Sequence, residues 1–90
     1  MPVTVSIPTI FRTYTGGEKR VQAAGSTLAA IIDDLEANHA GIRDRLIEDG
    51  KLRRFVNLYV NDEDVRFTGG LDTAVTDGGT VTILPAVAGG

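Results

Sequence analysis

Few groups in this sequence can carry chemistry, and the clearest candidate lies in the stretch LPAVAGG, residues 84–90, where a carboxylate follows the pair Gly89 and Gly90. Glycine loses more conformational freedom on ordering than any other residue, so a terminal pair adds nothing to a packed fold. The pair predicts a tail shaped to enter a narrow space, with the Gly90 carboxylate at its tip.

Other chemistry is poorly supplied. With no cysteine in the chain there is no disulfide framework, no thiolate nucleophile, no persulfide and no cysteine-rich zinc site. The single histidine, His39, closes a helical pattern with no second histidine at ligand or relay spacing, which predicts a helix-end contact and no catalytic role. Gly50-Lys51 lacks the first glycine of a phosphate-binding loop, where Arg45 stands instead, and no G-x-G-x-x-G occurs. The run Asn61-Asp62-Glu63-Asp64 resembles the start of a calcium loop, but Arg66 and Phe67 occupy positions that need a ligand and a glycine, so a solvated turn is expected. Ser6 and Ser26 lack the setting of an activated nucleophile, and no carboxylate pair comes with a pocket. The expectation is a chain that is not itself an enzyme, with no catalytic residue, no metal and no bound cofactor of its own.

Ninety residues predict one domain, with room for a core but not for an enclosed active site of ordinary size. Apolar residues at 42% and charged residues at 23%, with no long uncharged apolar run, predict a soluble cytoplasmic protein without a membrane span or secretory signal. A net charge of −3 and a pI near 4.9 argue against a nucleic-acid surface. Lys51, Arg53 and Arg54 run against that trend and read as a solvated loop.

The elements that must position the tail follow from periodicity. VTVSI, residues 3–7, alternates with Val3, Val5 and Ile7 on one face, and KRVQA, after Gly16-Gly17, pairs with it as a weaker strand. Ser26 or Thr27 caps a helix whose Leu28, Ile31, Ile32 and Leu35 fall at i, i+3, i+4 and i+7 and form one apolar stripe, with Asp33, Asp34 and Glu36 toward water. Gly41 ends it, residues 42–47 form a further helical turn, and residues 48–51 form a polar loop. FVNLYVN, residues 55–61, is the strongest strand pattern, with Val56, Leu58 and Val60 on one face. Residues 62–64 turn the chain into a short strand at 65–67, and TVTIL, residues 80–84, is the last strand.

This order predicts an α+β fold, a ubiquitin-like β-grasp: a mixed sheet of four to five strands curled around one main helix, with the first and last strands adjacent at its centre. Residues 1–84 form the domain and 85–90 a flexible tail. Val3, Val5, Ile7, Val56, Leu58, Val60, Val81 and Ile83 then meet the helix stripe. Phe55, Tyr59, Thr82 and Leu84 face the other way, beside the root of the tail, and predict an apolar docking surface for partners. Six extended residues span about 20 Å, enough to carry the Gly90 carboxylate into another protein's active site.

The stretches VTVSIPTI, TLAAIIDDLEANHAGI, FVNLYVNDEDVRFTGGLDTAV and DGGTVTILPAVAGG cover nearly the whole chain, and together they resemble the ThiS/MoaD family of sulfur carrier proteins. They are most similar to the branch of that family that serves cysteine biosynthesis. Gly79 stands where the family commonly has aspartate, which changes a turn. The resemblance implies an E1-like activating enzyme and sulfurtransferase that adenylates the Gly90 carboxylate with ATP, after which sulfur displaces AMP to leave a thiocarboxylate. Gly89, Ala88 and Val87 are the tail residues that must pass into partner active sites. The resemblance further implies a cysteine synthase dependent on pyridoxal phosphate (PLP), which adds the sulfur to an aminoacrylate made from O-phosphoserine, and a zinc metalloprotease that releases cysteine. ATP, PLP and zinc would all reside on those partners, and the free carrier would be a monomer. The same fold and tail would also serve a molybdopterin synthase small subunit, a thiamine-thiazole sulfur carrier or a ubiquitin-like protein modifier.

Overall fold

Alternation of buried and half-buried residues makes a strand of Val3–Ser6 (β1), and β1 pairs antiparallel with Arg20–Ala23 (β2) in the register Val5 to Val21. The structure, a computed structural model, describes residues 2–53 and 56–85. The connection between β1 and β2 is not a simple turn: Thr9–Thr15 form a 3-10 helix that starts at Pro8 and buries Phe11 and Thr15.

Thr27 caps the main helix α1, Leu28–Asn38, its Oγ1 accepting from the Ala30 N–H at 3.2 Å. The stripe Leu28, Ile31, Ile32 and Leu35 is fully buried. His39 is the C-cap, its backbone N–H donating to the Leu35 carbonyl at 2.6 Å. Gly41 follows with φ of 97°, where a side chain would be strained and would also crowd the Tyr14 ring. The short helix α2, Ile42–Leu46, then begins. The acidic residues of α1 do more than face water. Asp34 accepts from the Ala24 N–H, Asp33 pairs with Arg43, and the Glu36 carboxylate accepts from the Gly41 and Arg43 N–H groups. Those two backbone donors, Gly41 first, hold the Glu36 carboxyl below its ordinary range.

The expected polar loop at 48–51 is a small hairpin. β3, Ile47–Glu48, pairs with β4, Lys51–Leu52, across Asp49 and Gly50, both with positive φ (54° and 75°), as a type I′ turn requires. Arg53 ties this hairpin down by donating to the Asp44 carbonyl and pairing with Glu48, so this member of the basic cluster is built into the fold, while Lys51 is exposed. Arg54 lies outside the described residues.

β5, Val56–Val60, buries Val56, Leu58 and Val60. A two-residue turn at Asn61 and Asp62, again with positive φ, leads to β6, Glu63–Asp64. The strand expected at 65–67 is instead a 3-10 turn, Val65–Phe67, capped by Asp64: Val65 is buried and Phe67 is 86% exposed. A last 3-10 turn at Gly70–Asp72 precedes β7, Thr80–Pro85. The main sheet has the order β2-β1-β7-β5-β6, with β1 and β7 parallel and the other neighbours antiparallel. α1 packs across its inner face, and Val3, Val5, Ile7, Val56, Leu58, Val60, Val81 and Ile83 join the helix stripe in one core. This is the ubiquitin-like β-grasp that the sequence predicts, with five strands in the main sheet.

Candidate functional site

The site is built around the outgoing end of β7, held on both sides. Thr80 to Thr82 lie beside Thr4 to Ser6 of β1, and Val81 to Pro85 lie beside Val60 to Val56 of β5. Asn61 locks the start of the strand: its Oδ1 accepts from the Thr80 N–H at 2.9 Å, and its own N–H donates to the Thr80 carbonyl at 2.8 Å. The Asn61 side chain lies against Gly79, where a Cβ would sit 2.9 Å from the Thr76 carbonyl oxygen. A clamped root lets the chain depart at a defined point of the sheet.

Gly90, Gly89, Ala88 and Val87, expected to form the reactive tail, lie outside the described residues, as does Phe55 of the expected docking surface. Tyr59, Thr82 and Leu84 are all on the outer face of the sheet. Tyr59 is paired with Thr82 and Leu84 with Asn57, so Tyr59 and Leu84 are diagonal neighbours, within reach of each other's side chains. Leu84 is 45% exposed, and Tyr59 and Thr82 are half-buried.

Around this pair the face is polar, with Thr4, Ser6, Gln22, Asn57 and Thr80 sharing it. Asp64, opposite Tyr59, accepts from Arg66 Nη2 at 2.8 Å. Hydrogen bonds from the Arg66 side chain, then from its backbone, hold the Asp64 carboxyl below its ordinary range, and the pair keeps the Arg66 guanidinium more firmly protonated. Sequence reasoning missed this charged border: it predicts a turn at 61–64, but not the register that sets Asp64 opposite Tyr59. It also missed Phe67, which alternation had placed in a strand.

A shallow cleft of about 260 Å³ opens beside the tail root, lined by Leu52, Arg53, Val56, Asn57, Leu58, Val65 and Arg66. Its lining includes no nucleophile paired with a base. Among the described residues, no group of three or more His, Cys, Asp or Glu is arranged to hold a metal ion, and no helix is long and apolar enough to cross a membrane. What the arrangement offers is a clamped last strand, Thr80–Pro85, whose outer face is mostly polar and carries one small apolar spot.

Comparison with known proteins agrees with that fold. Over 93 aligned positions the chain is 68% identical to the sulfur carrier protein CysO of Mycobacterium tuberculosis, covering the whole of both chains. The crystal structure of that protein superposes with a TM-score of 0.93 at 67% identity, over 94% of this chain and 99% of the other. CysO in the crystal structure of the Amycolatopsis orientalis BexX/CysO complex gives a TM-score of 0.94 at 68% identity, over 98% and 99%. The small archaeal modifier protein 3 of Haloferax volcanii is 40% identical over 65 residues, 72% of this chain and 71% of its own. The sequence pattern of the ThiS family matches residues 5–90, and the chain belongs to that family.

Proposed function

We propose that this protein is a cytoplasmic sulfur carrier for cysteine biosynthesis, acting as a substrate of partner enzymes rather than as an enzyme. An ATP-using activating enzyme converts the Gly90 carboxylate to an acyl adenylate, releasing pyrophosphate. Sulfur then displaces AMP and leaves a thiocarboxylate. A PLP-dependent synthase supplies an aminoacrylate from O-phosphoserine. The thiocarboxylate sulfur adds to it, and an acyl shift from sulfur to nitrogen leaves cysteine joined to Gly90 by an amide. A zinc metalloprotease hydrolyses that amide and restores the carboxylate. The observation that carries this reading is 68% identity, over the full length of both chains, to proteins named as sulfur carriers. The absence of cysteine is in keeping with it, because the sulfur rides on a carbonyl and the carrier needs no thiol. Glycine at the last two positions presents no Cβ, so a narrow channel can admit the chain and attacking groups can approach the carbonyl.

Mixing the thiocarboxylate form with its synthase and O-phosphoserine is expected to yield a carrier heavier by one cysteine residue, located at Gly90 by fragmentation mass spectrometry. The kinship with a small archaeal modifier supports a second reading, conjugation to lysines of other proteins. Lysine-linked conjugates without the cysteine adduct would favour it over the carrier.

Partners dock, in this proposal, on the outer sheet face at Tyr59, Thr82 and Leu84, and take the tail from there. Leu84, an exposed large apolar residue next to the end of β7, is the anchor. Leu84→Ser or Tyr59→Ser is expected to weaken partner binding by roughly 1–3 kcal/mol in calorimetry, the usual range for an interface anchor, with an unchanged circular dichroism spectrum. Unchanged affinity in both variants would place docking elsewhere.

A further inference from the structure

The parallel ladder between β1 and β7 stops at a point that two prolines determine. Its phase follows from three hydrogen bonds. The Thr4 N–H donates to the Gly79 carbonyl at 3.0 Å, so odd residues of the β7 segment direct their backbone groups toward β1. The Asn61 N–H donates to the Thr80 carbonyl at 2.8 Å, so even residues serve β5. On β1, the Ile7 N–H donates to the Lys19 carbonyl at 2.8 Å, so odd residues face β2 and even residues face β7. Pro8 keeps extended backbone, φ −71° and ψ 158°, and therefore still lies on the line of the strand. Its carbonyl accepts from the Phe11 N–H at 3.0 Å as the chain turns away.

Lengthening this ladder by one repeat would take two hydrogen bonds. One runs from the N–H of residue 8 to the carbonyl of Ile83, the other from the N–H of residue 85 to the carbonyl of residue 8. Both donor positions are proline, which has no N–H. Pro85 can nevertheless sit in β7, because its nitrogen points away from β5, where its register partner is Val56. Each proline also confines the residue before it, Ile7 or Leu84, to extended backbone, so the strands run straight up to the stop.

We propose that Pro8 and Pro85 form a paired stop that ends the β1–β7 ladder at Ile83 and leaves the Ile83 carbonyl and the backbone of Leu84 and Pro85 open on the β1 side for the enzyme that receives the tail. This rests on the carrier reading and makes both prolines positioning residues. A tail that continued the ladder would have to be peeled from the sheet before entering an active site. Ile83 presents a carbonyl with no donor from β1, ready to accept one from that enzyme.

The test compares wild type with Pro8→Val, Pro85→Val and the double variant, using Pro2→Val, in the exposed residue before β1, as a control for general loss of proline. Hydrogen exchange by NMR is expected to show the amides introduced at positions 8 and 85 of the double variant exchanging about threefold to tenfold more slowly than in an unstructured peptide, as one added hydrogen bond dictates. The melting temperature should stay level or rise. In steady-state loading by the activating enzyme, KM should rise severalfold with kcat little changed, and Pro2→Val should match wild type. A purely structural role would lower the melting temperature and leave KM unmoved, and that result would overturn the proposal. So would introduced amides that exchange as fast as in an open chain. Failure of the wild-type chain to load at all would overturn the carrier reading and the positioning role with it, whereas the exchange data would still decide whether the prolines stop the ladder.

Discussion

Deleting Gly90, or adding one residue after it, is expected to abolish sulfur loading while leaving the melting temperature nearly unchanged. The chemistry proposed here belongs to one carboxylate, and the chain holds no cysteine that could carry the sulfur in its place. Lengthening or shortening an extended chain by one residue shifts its end by about 3.5 Å, while catalytic positioning tolerates displacements nearer 1 Å. The fold has little to lose. Core burial along β7 ends at Ile83, and Leu84 and Pro85 are already exposed. Incubation with the activating enzyme, ATP and a sulfur donor, followed by intact-protein mass spectrometry, decides the matter. Normal loading of the shortened chain would remove the Gly90 carboxylate from the mechanism.

What could be read from the sequence depended on how many residues carried each signal. The α1 stripe and the alternation of β1 and β5 each rest on three or four apolar residues in phase, and that of β7 on two, Val81 and Ile83, all of which are buried. Short elements lack that redundancy. Val65 and Phe67 alternate as a strand would, but Asp64 caps the chain into a 3-10 turn, its Oδ1 accepting from the Arg66 N–H at 2.9 Å, and Phe67 is left in solvent. Asp49-Gly50 is a strong hairpin signal whose flanking strands have two residues each, too few to show alternation. The 3-10 helix at Thr9–Thr15 has no helical stripe to announce it and is held partly by a side-chain bond back to the residue after β1, from Arg12 Nε to the Ile7 carbonyl at 3.1 Å. The outer sheet face showed the same limit. Alternation on β5 and β7 assigned Tyr59, Thr82 and Leu84 to one side, whereas the Asp64–Arg66 border came from a neighbouring strand whose register the sequence does not disclose. Register with neighbours also carries the proline stop, since Pro8 and Pro85 have a shared role only once residues 79 and 80 are known to face opposite strands.

Leu58 and Leu84 lie on adjacent strands of one sheet and on opposite faces of it, and that difference separates loss of fold from loss of transfer. Leu58 is 1% exposed, registers opposite Ile83 and packs in the core with the α1 stripe. Leu58→Ala removes buried apolar surface and leaves a cavity that a close-packed interior fills only in part, at a cost of about 2–5 kcal/mol. Small domains hold roughly 5–15 kcal/mol in total, and each kcal/mol moves the melting temperature of a domain this size by about 4–8 °C. The expected result is a fall in melting temperature on the order of 10–20 °C or more by circular dichroism. Loading should be retained at temperatures where the variant is still folded, because the tail and its root are untouched. Leu84→Ser should do the reverse, leaving the melt in place and weakening partner binding at every temperature. A Leu58→Ala melt within a few degrees of wild type would mean that the core relaxes around the cavity. A Leu84→Ser melt lowered as far as that expected for Leu58→Ala would mean that this side chain serves the fold, and that the outer face is not the surface from which the tail is delivered.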